Sequence, residues 1–174
     1  NHHDKPAVEA AYLKAIENLS ILRLPAIYGW PDVSRIKPYV NAVFQGNGTC
    51  RLHPTHAAWT HSRASVADCV QAIVLSLGLP GQQIFNVGEQ TTLTEAEWCE
   101  RVWNAAGKQG TLIEDPATPI PFNADLNQDW IADSSKIRKE LGYRESSNHF
   151  EVLQTTIKAM LGWREGEALP EAQH

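Results

Sequence analysis

Near the start of the chain, Val8, Tyr12, Ile16 and Leu19 recur at helical spacing and make one apolar face. Asp4 caps that helix, and Pro6 fits its first turn, where a backbone donor is spare. The pattern then changes. Ile21, Leu22 and Leu24 form a nearly continuous apolar run around Arg23, which predicts a strand covered on both faces. Pro25 removes a ladder donor and is expected to end regular pairing, and the chain leaves through Tyr28-Gly29.

Downstream, a helix is expected near 35–44, ended by Gly46-Asn47-Gly48. The stretch 49–60, with His53, His56 and Trp59, has no periodicity and reads as a surface loop. A second amphipathic helix begins at Ser65, with Val66, Val70, Ile73, Val74 and Leu77 as its apolar stripe and Gly78 and Pro80 as its stop. Residues 83–88 form a short strand. Thr94 and Glu97 make a capping box and Leu93 with Trp98 a staple, so a helix starts there and runs to about Ala106 before Gly107. Residues 110–114 read as another strand and 116–121 as a Pro-rich loop. Asp133 caps a short helix closed by Gly142. A last helix over 148–161 buries Val152, Leu153, Ile157 and Met160, and the tail from Arg164 is polar.

Helices and strands alternate, which indicates an α/β fold with a parallel sheet. In such sheets ligands sit beyond the carboxyl ends of the strands, so the segment 25–29 lies where a ligand is expected. The strand at 21–24 needs neighbours, and the pattern offers few downstream.

Composition narrows the function. The 174 residues are 43% hydrophobic and 20% charged, as in a globular domain rather than a disordered chain. The net charge of −5 and the lack of a basic run argue against nucleic acid and anionic membrane as partners. No apolar run approaches the ~18 residues of a membrane span. Cys50, Cys69 and Cys99 are far apart with no CxxC, which reads as reduced structural thiols in a cytoplasmic protein. His2, His3, His53, His56 and His61 lack ligand spacing, so no metal is expected.

Five motifs then occur in order: Asp4-Lys5-Pro6-Ala7-Val8-Glu9, Leu22-Arg23-Leu24-Pro25-Ala26-Ile27-Tyr28-Gly29, Arg63-Ala64-Ser65-Val66-Ala67-Asp68, Ile84-Phe85-Asn86-Val87-Gly88-Glu89, and the run from Asp133 through Leu141-Gly142-Tyr143. Together they resemble the C-terminal half of an extended short-chain dehydrogenase/reductase, of the NAD-dependent epimerase/dehydratase family, over residues 4–161. The resemblance implies the last elements of a Rossmann-like parallel sheet plus a small α/β substrate-binding lobe. Residues 1–30 would be the final helix and strand of a truncated dinucleotide-binding domain. Residues 31–165 would be mainly the lobe, with segments returning to the sheet, and 166–174 a tail.

It further implies an NAD or NADP cofactor and a sugar-nucleotide or other small carbonyl or hydroxyl substrate. Lys5 matches the family's catalytic Lys, which binds the nicotinamide ribose and lowers the pKa of a Tyr by its charge. That Tyr position falls on Asn1, and no Gly-rich pyrophosphate turn occurs in the sequence, so the chain is expected to be an inactive fragment needing its N-terminal half or a partner chain. Pro25, Ala26, Ile27 and Tyr28 would pass near the nicotinamide. Arg35, Arg63 and Asn86 would face the substrate, with an Arg fork suited to phosphate or carboxylate. Asp68 would be structural, and a homodimer would pair through the helix starting at Pro6. Plainer readings stand beside these. Lys5 can be a solvated first-turn Lys, Arg23 can pair locally, Arg63 can form a surface salt bridge, and Trp98 and Trp103 fit core positions. The whole can also be a non-catalytic binding or assembly module derived from that fold.

Overall fold

The computed structural model describes residues 4–120, 126, 128–145 and 148–162. Asn1, His2 and His3, and the tail from residue 163, lie outside the described residues. The first part of the chain forms α1 (Lys5–Ala15), β1 (Leu19–Arg23), β2 (Ala26–Tyr28), α2 (Lys37–Phe44) and β3 (Thr49–Leu52). The middle forms α3 (Pro54–Ala58), β4 (Thr60–His61), β5 (Arg63–Ser65), α4 (Val66–Ser76) and β6 (Gln82–Asn86). The rest forms β7 (Leu93–Thr94), α5 (Glu95–Ala105), β8 (Thr111–Glu114), α6 (Ser135–Leu141) and α7 (His149–Met160).

β1 has a neighbour after all. It pairs in parallel with β6, in register from Leu19 opposite Gln82 to Arg23 opposite Asn86. As expected, the β1–β6 pairing stops before Pro25, at Arg23 opposite Asn86, but strand structure resumes after it. Pro25 separates β1 from β2, which pairs in parallel with β5. Beyond Arg23 and Asn86 the two strands part, and the chain around β5 enters between them. Ala26 N–H donates to the Ser62 carbonyl at 3.2 Å on one side, and Glu89 N–H donates to the Arg63 carbonyl at 2.8 Å on the other. Backbone donors near the wedge are thus satisfied across the divergence.

The stretch 49–60 is not an irregular loop. β3 pairs in parallel with β8, and α3 forms because Pro54 sits in its first turn while His53 Nδ1 accepts the Thr55 N–H at 3.2 Å. Such pairing, remote in sequence, leaves no local periodic signal.

Asp4, expected to cap α1, makes no side-chain cap hydrogen bond, but local signals mark several other helix ends. Thr94 and Glu97 close the capping box at α5, Ser65 caps α4 by accepting from Asp68 N–H, and Asp133 Oδ1 accepts the Ser135 N–H at 2.8 Å at the head of α6. Gly142 ends α6 with φ of 67°, a conformation that other residues seldom adopt.

Among the described residues two apolar clusters result. The larger joins Tyr28, Ile36, Tyr39, Val40, Trp98, Cys99, Val102, Trp103, Leu153 and Ile157. The smaller joins Ala72, Phe85, Val87, Ile137 and Tyr143, and so draws α4, β6 and α6 together. The expected stripe on α4 is overturned: Val70, Ile73, Val74 and Leu77 are 52%, 44%, 60% and 70% exposed. The buried face instead carries Asp68, Cys69, Ala72 and Ser76, whose small side chains let the helix approach the strands closely. The α1 face is also uncovered, with Val8, Tyr12 and Ile16 exposed.

Candidate functional site

The short link between α1 and β1 makes the helix run back along the strand, so the head of α1 lies at the carboxyl end of β1. An ion pair fixes that placement. Arg23, the last residue of β1, donates from Nε to Glu9 Oε1 at 3.0 Å and from NH2 to Glu9 Oε2 at 2.6 Å. The fork is bidentate but solvent-exposed, so it orients more than it stabilises, at ~0–1 kcal/mol. The hydrogen bond from Arg23 holds the Glu9 carboxyl below its usual pKa. Lys5 is exposed one turn before Glu9. Glu9, one turn after Lys5, and Arg23 therefore meet just before Pro25, at the sheet end where ligands of parallel sheets sit.

Pro25, Ala26 and Ile27 are half-buried along this exit. Tyr28 is fully buried, its ring edge-on to Trp98 with centroids 4.8 Å apart. Burial, with the Glu89 carboxylate beside it, pushes the phenol far above its ordinary pKa, which suits packing and not proton transfer. Just past β2 a cleft of about 510 Å³ opens, lined by Gly29, Trp30, Val66, Ala67, Glu151 and Thr156. Asn86, opposite Arg23 in register, donates from Nδ2 to the Asp133 carbonyl at 3.2 Å and so ties the strand exit to α6.

The two arginines differ in surroundings. Arg35 is exposed before α2, and its carbonyl accepts the Trp98 Nε1–H at 3.1 Å. Arg63 is 4% exposed. It donates from NH1 to the Leu93 carbonyl at 2.9 Å and from NH2 to Glu95 Oε2 at 2.5 Å, and its guanidinium lies 4.8 Å over the Trp98 ring. Asp68 is fully buried and accepts the Ser65 hydroxyl at 2.7 Å, a structural role.

Sequence reasoning did not find the network around Glu95. Its carboxylate accepts the Tyr39 hydroxyl at Oε1, while Oε2 meets Arg63 and lies 3.0 Å from His61 Nε2. His61 Nε2 is also 2.8 Å from Arg63 NH2. These contacts are alternatives for one nitrogen: protonated it donates to Glu95, unprotonated it accepts from Arg63. Trp59 stacks on His61 with centroids 4.3 Å apart. Burial disfavours the charge on Glu95, but the His61 contact, the Arg63 charge and the Tyr39 hydroxyl hold its pKa down at about 2. A signal for it existed. Glu95 falls on the helical face of Trp98, Cys99 and Val102, a charge at a core position. A second buried carboxylate, Glu89, lies 3.4 Å from both Arg101 NH1 and His149 Nδ1.

No protein-family model matches the chain, and no curated protein matches it. Solved structures do. UDP-glucose 4-epimerase of Thermus thermophilus, in complex with NAD, matches with a TM-score of 0.69 at 21% identity, covering 90% of this chain and 51% of that one. UDP-N-acetylglucosamine 4-epimerase of Bacillus cereus gives 0.68 at 22% identity, over 90% and 53%. dTDP-glucose 4,6-dehydratase of Streptomyces venezuelae, with NAD bound, gives 0.66 at 21%, over 91% and 50%. The chain has the fold of part of these enzymes. It spans about half the length of the epimerases and the dehydratase it matches.

In this fold, the structure sets Pro25, Ala26, Ile27 and Asn86 at one sheet end and Tyr28 in the core, while Lys5 is exposed in α1 one turn before Glu9, the partner of Arg23. Arg63 is held inward by Glu95, and Arg35 stands apart before α2. The donor and acceptor groups are backbone amides and one carboxamide at the sheet end, and the exposed ammonium of Lys5 in α1. That set can bind and orient hydroxyls or anions. Among the described residues no cluster of three or more His, Cys, Asp or Glu is able to hold a metal ion, and no helix is long and apolar enough to cross a membrane.

Proposed function

We propose that this chain is the substrate-binding half, with the last sheet elements, of an NAD(P)-dependent epimerase, dehydratase or reductase acting on a sugar nucleotide or a similar small carbonyl or hydroxyl substrate. The observation that supports the reading is the Glu9–Arg23 pair, which joins α1, the helix that carries Lys5, to the carboxyl end of β1, within a fold shared with an NAD-bound epimerase over 90% of the chain. Among the described residues β1 pairs only with β6, and a groove of about 750 Å³, lined by Ser20, Leu22, Ile73 and Leu77, runs beside it. Together with the uncovered α4 face, this fits a sheet that continues with further strands. The free thiols fit a reducing compartment such as the cytoplasm.

The residues fit one end of the cofactor. Lys5 would hold the nicotinamide ribose hydroxyls, and the backbone of Pro25, Ala26 and Ile27 would flank the ring. The pyrophosphate has no Gly-rich turn in this sequence and would be held by the other half. When bound, the nicotinamide supplies hydride acceptance and donation. The family's phenol position falls on Asn1, so any phenol beside Lys5 would come from the rest of the enzyme; the Lys5 charge would stabilise its ionised form and lower its pKa. Arg35, the exposed arginine, would meet phosphate or carboxylate groups of the substrate, while Arg63 would hold the lobe through Glu95. Asn86 would shape the pocket rim.

The test has two steps. The denaturing intact mass of the protein from its natural source should lie well above the 19.3 kDa of this chain. That protein should then interconvert or dehydrate UDP- or dTDP-hexoses, with transient reduction of the nicotinamide. A natural protein of 19.3 kDa without turnover would favour the non-catalytic module.

A further inference from the structure

Asn148, Glu151 and Val152, at the start of α7, line the cleft beside Trp30. His149 lies among them in sequence but makes a different contact. Its Nδ1 is 3.4 Å from Glu89 Oε2, and its ring stands edge-on to Tyr28 with centroids 6.5 Å apart. About two turns later, Thr156 Oγ1 accepts the Trp30 N–H at 3.2 Å. The helix therefore meets the chain leaving β2 at two points. The Thr156 contact is neutral and does not titrate, whereas the His149 contact does. The Glu89 side chain is 3% exposed, and its Oε1 has no hydrogen-bond partner among the described residues. Its charge is balanced through Oε2, which lies 3.4 Å from Arg101 NH1 as well as from His149. The His149 side chain is 24% exposed, enough for water to deliver and remove its proton.

We propose that His149 and Glu89 form a proton-operated latch on this cleft. With the ring charged, the pair holds the first turn of α7 against Tyr28 and the loop after β6. With the ring neutral, that turn loosens about the Thr156 anchor and the cleft beside Trp30 widens. The physical basis is the strength of the contact, since a bond between two charged groups is roughly twice as strong as one between neutral groups. Charges on every side of the ring set its balance. The Glu89 contact favours the charged ring, burial opposes it, Asp68 on α4 favours it and Arg101 on α5 opposes it. Tyr28 on β2 presents a neutral phenol, and Glu151 lies in the same turn of α7. The outcome is a ring held above its ordinary 6.5. The latch is therefore closed below 6.5 and opens as pH rises through the folded value.

The experiment follows the chain by NMR from about pH 5 to about pH 9, a range that spans an imidazole titration. It reads the His149 ring, the Trp30 indole, and the Phe150 and Val152 amides, which donate to the Asn148 side chain and carbonyl. The expected result is one midpoint above 6.5 shared by all four signals. Hydrogen-exchange protection of the two amides, corrected for the intrinsic pH dependence of exchange, should fall about tenfold across that midpoint. His149→Gln should make the amides and the indole insensitive to pH over this range. Glu89→Gln should lower the ring midpoint and uncouple the amides from it, and His149→Gln carries the test alone if that variant fails to fold. His56→Gln, on α3, should leave the midpoint in place. Amides that ignore the ring's titration, a pH dependence that survives in His149→Gln, or a native ring midpoint at or below 6.5 would overturn the proposal.

Discussion

Arg63 donates to Glu95 across a buried 2.5 Å contact that links the start of β5 to the first turn of α5. Neither group reaches water freely, so each depends on the other for its charge. Removing the carboxylate with Glu95→Ala strands a buried guanidinium and should cost ~3–5 kcal/mol, read by urea unfolding. Replacing both with Arg63→Met and Glu95→Leu should cost much less than the sum of the single changes. Additive losses would mean that the pair is uncoupled.

The same carboxylate sets an acid limit. Its folded pKa, about 2, lies below the ordinary 4.5, so the unfolded chain binds the proton more readily. Its contribution is complete above about pH 4.5 and disappears as pH falls toward 2. Stability measured against pH should fall through that window, and Glu95→Gln should flatten the slope. An unchanged slope in the variant would remove Glu95 as its source.

Two histidines act with opposite signs. His56 is held neutral by burial, with His61, Arg63 and His53 adding to the effect and Glu95 opposing it. Its depressed pKa means that stability declines as pH falls below the ordinary 6.5. His149 is raised by its hydrogen bond to Glu89, so its contribution is present below 6.5 and is lost as pH rises through its folded value. His56→Gln should remove the acid-side decline and His149→Gln the alkaline-side one. NMR titration of the two rings should give pKa values on opposite sides of 6.5.

The uncovered apolar faces should show in solution. Val70, Val74 and Leu77 of α4, with Val8 and Tyr12 of α1, are about half exposed or more. The isolated chain should associate with rising concentration in light scattering. The double change Val74→Lys and Leu77→Lys should reduce association while altering stability by less than ~0.5 kcal/mol per site. Association undiminished by both changes would place the contact elsewhere.

What was legible in the sequence was local. The Thr94–Glu97 capping box spans four residues and Gly142 needs only its own φ, so both could be read from the chain and both hold. Arg23 was read as pairing locally, and its partner proves instead to be Glu9, 14 residues away in α1. Pairing of β1 with β6 and of β3 with β8 depends on segments brought together by the fold, and left no local mark. The α4 stripe misled because large apolar residues were assigned inward, whereas Ala72 and Ser76 allow the closer packing. At the sheet end, the order of motifs pointed to Lys5 and to Pro25 onward. Glu95 went unread because its capping-box neighbours accounted for the segment.

The central claim is that Lys5 and the exit from β1 serve a nicotinamide cofactor. It is tested most directly by titrating NADH and NADPH into the full-length protein containing this chain, beside its Lys5→Met variant, and following nucleotide fluorescence. The account predicts saturable binding of one of the two nucleotides, weakened about tenfold or more (~1.4 kcal/mol) in the variant. Because Lys5 is exposed, the variant's melting temperature should be unchanged. Failure of the folded full-length protein to bind either nucleotide, or equal binding by the variant, would contradict it.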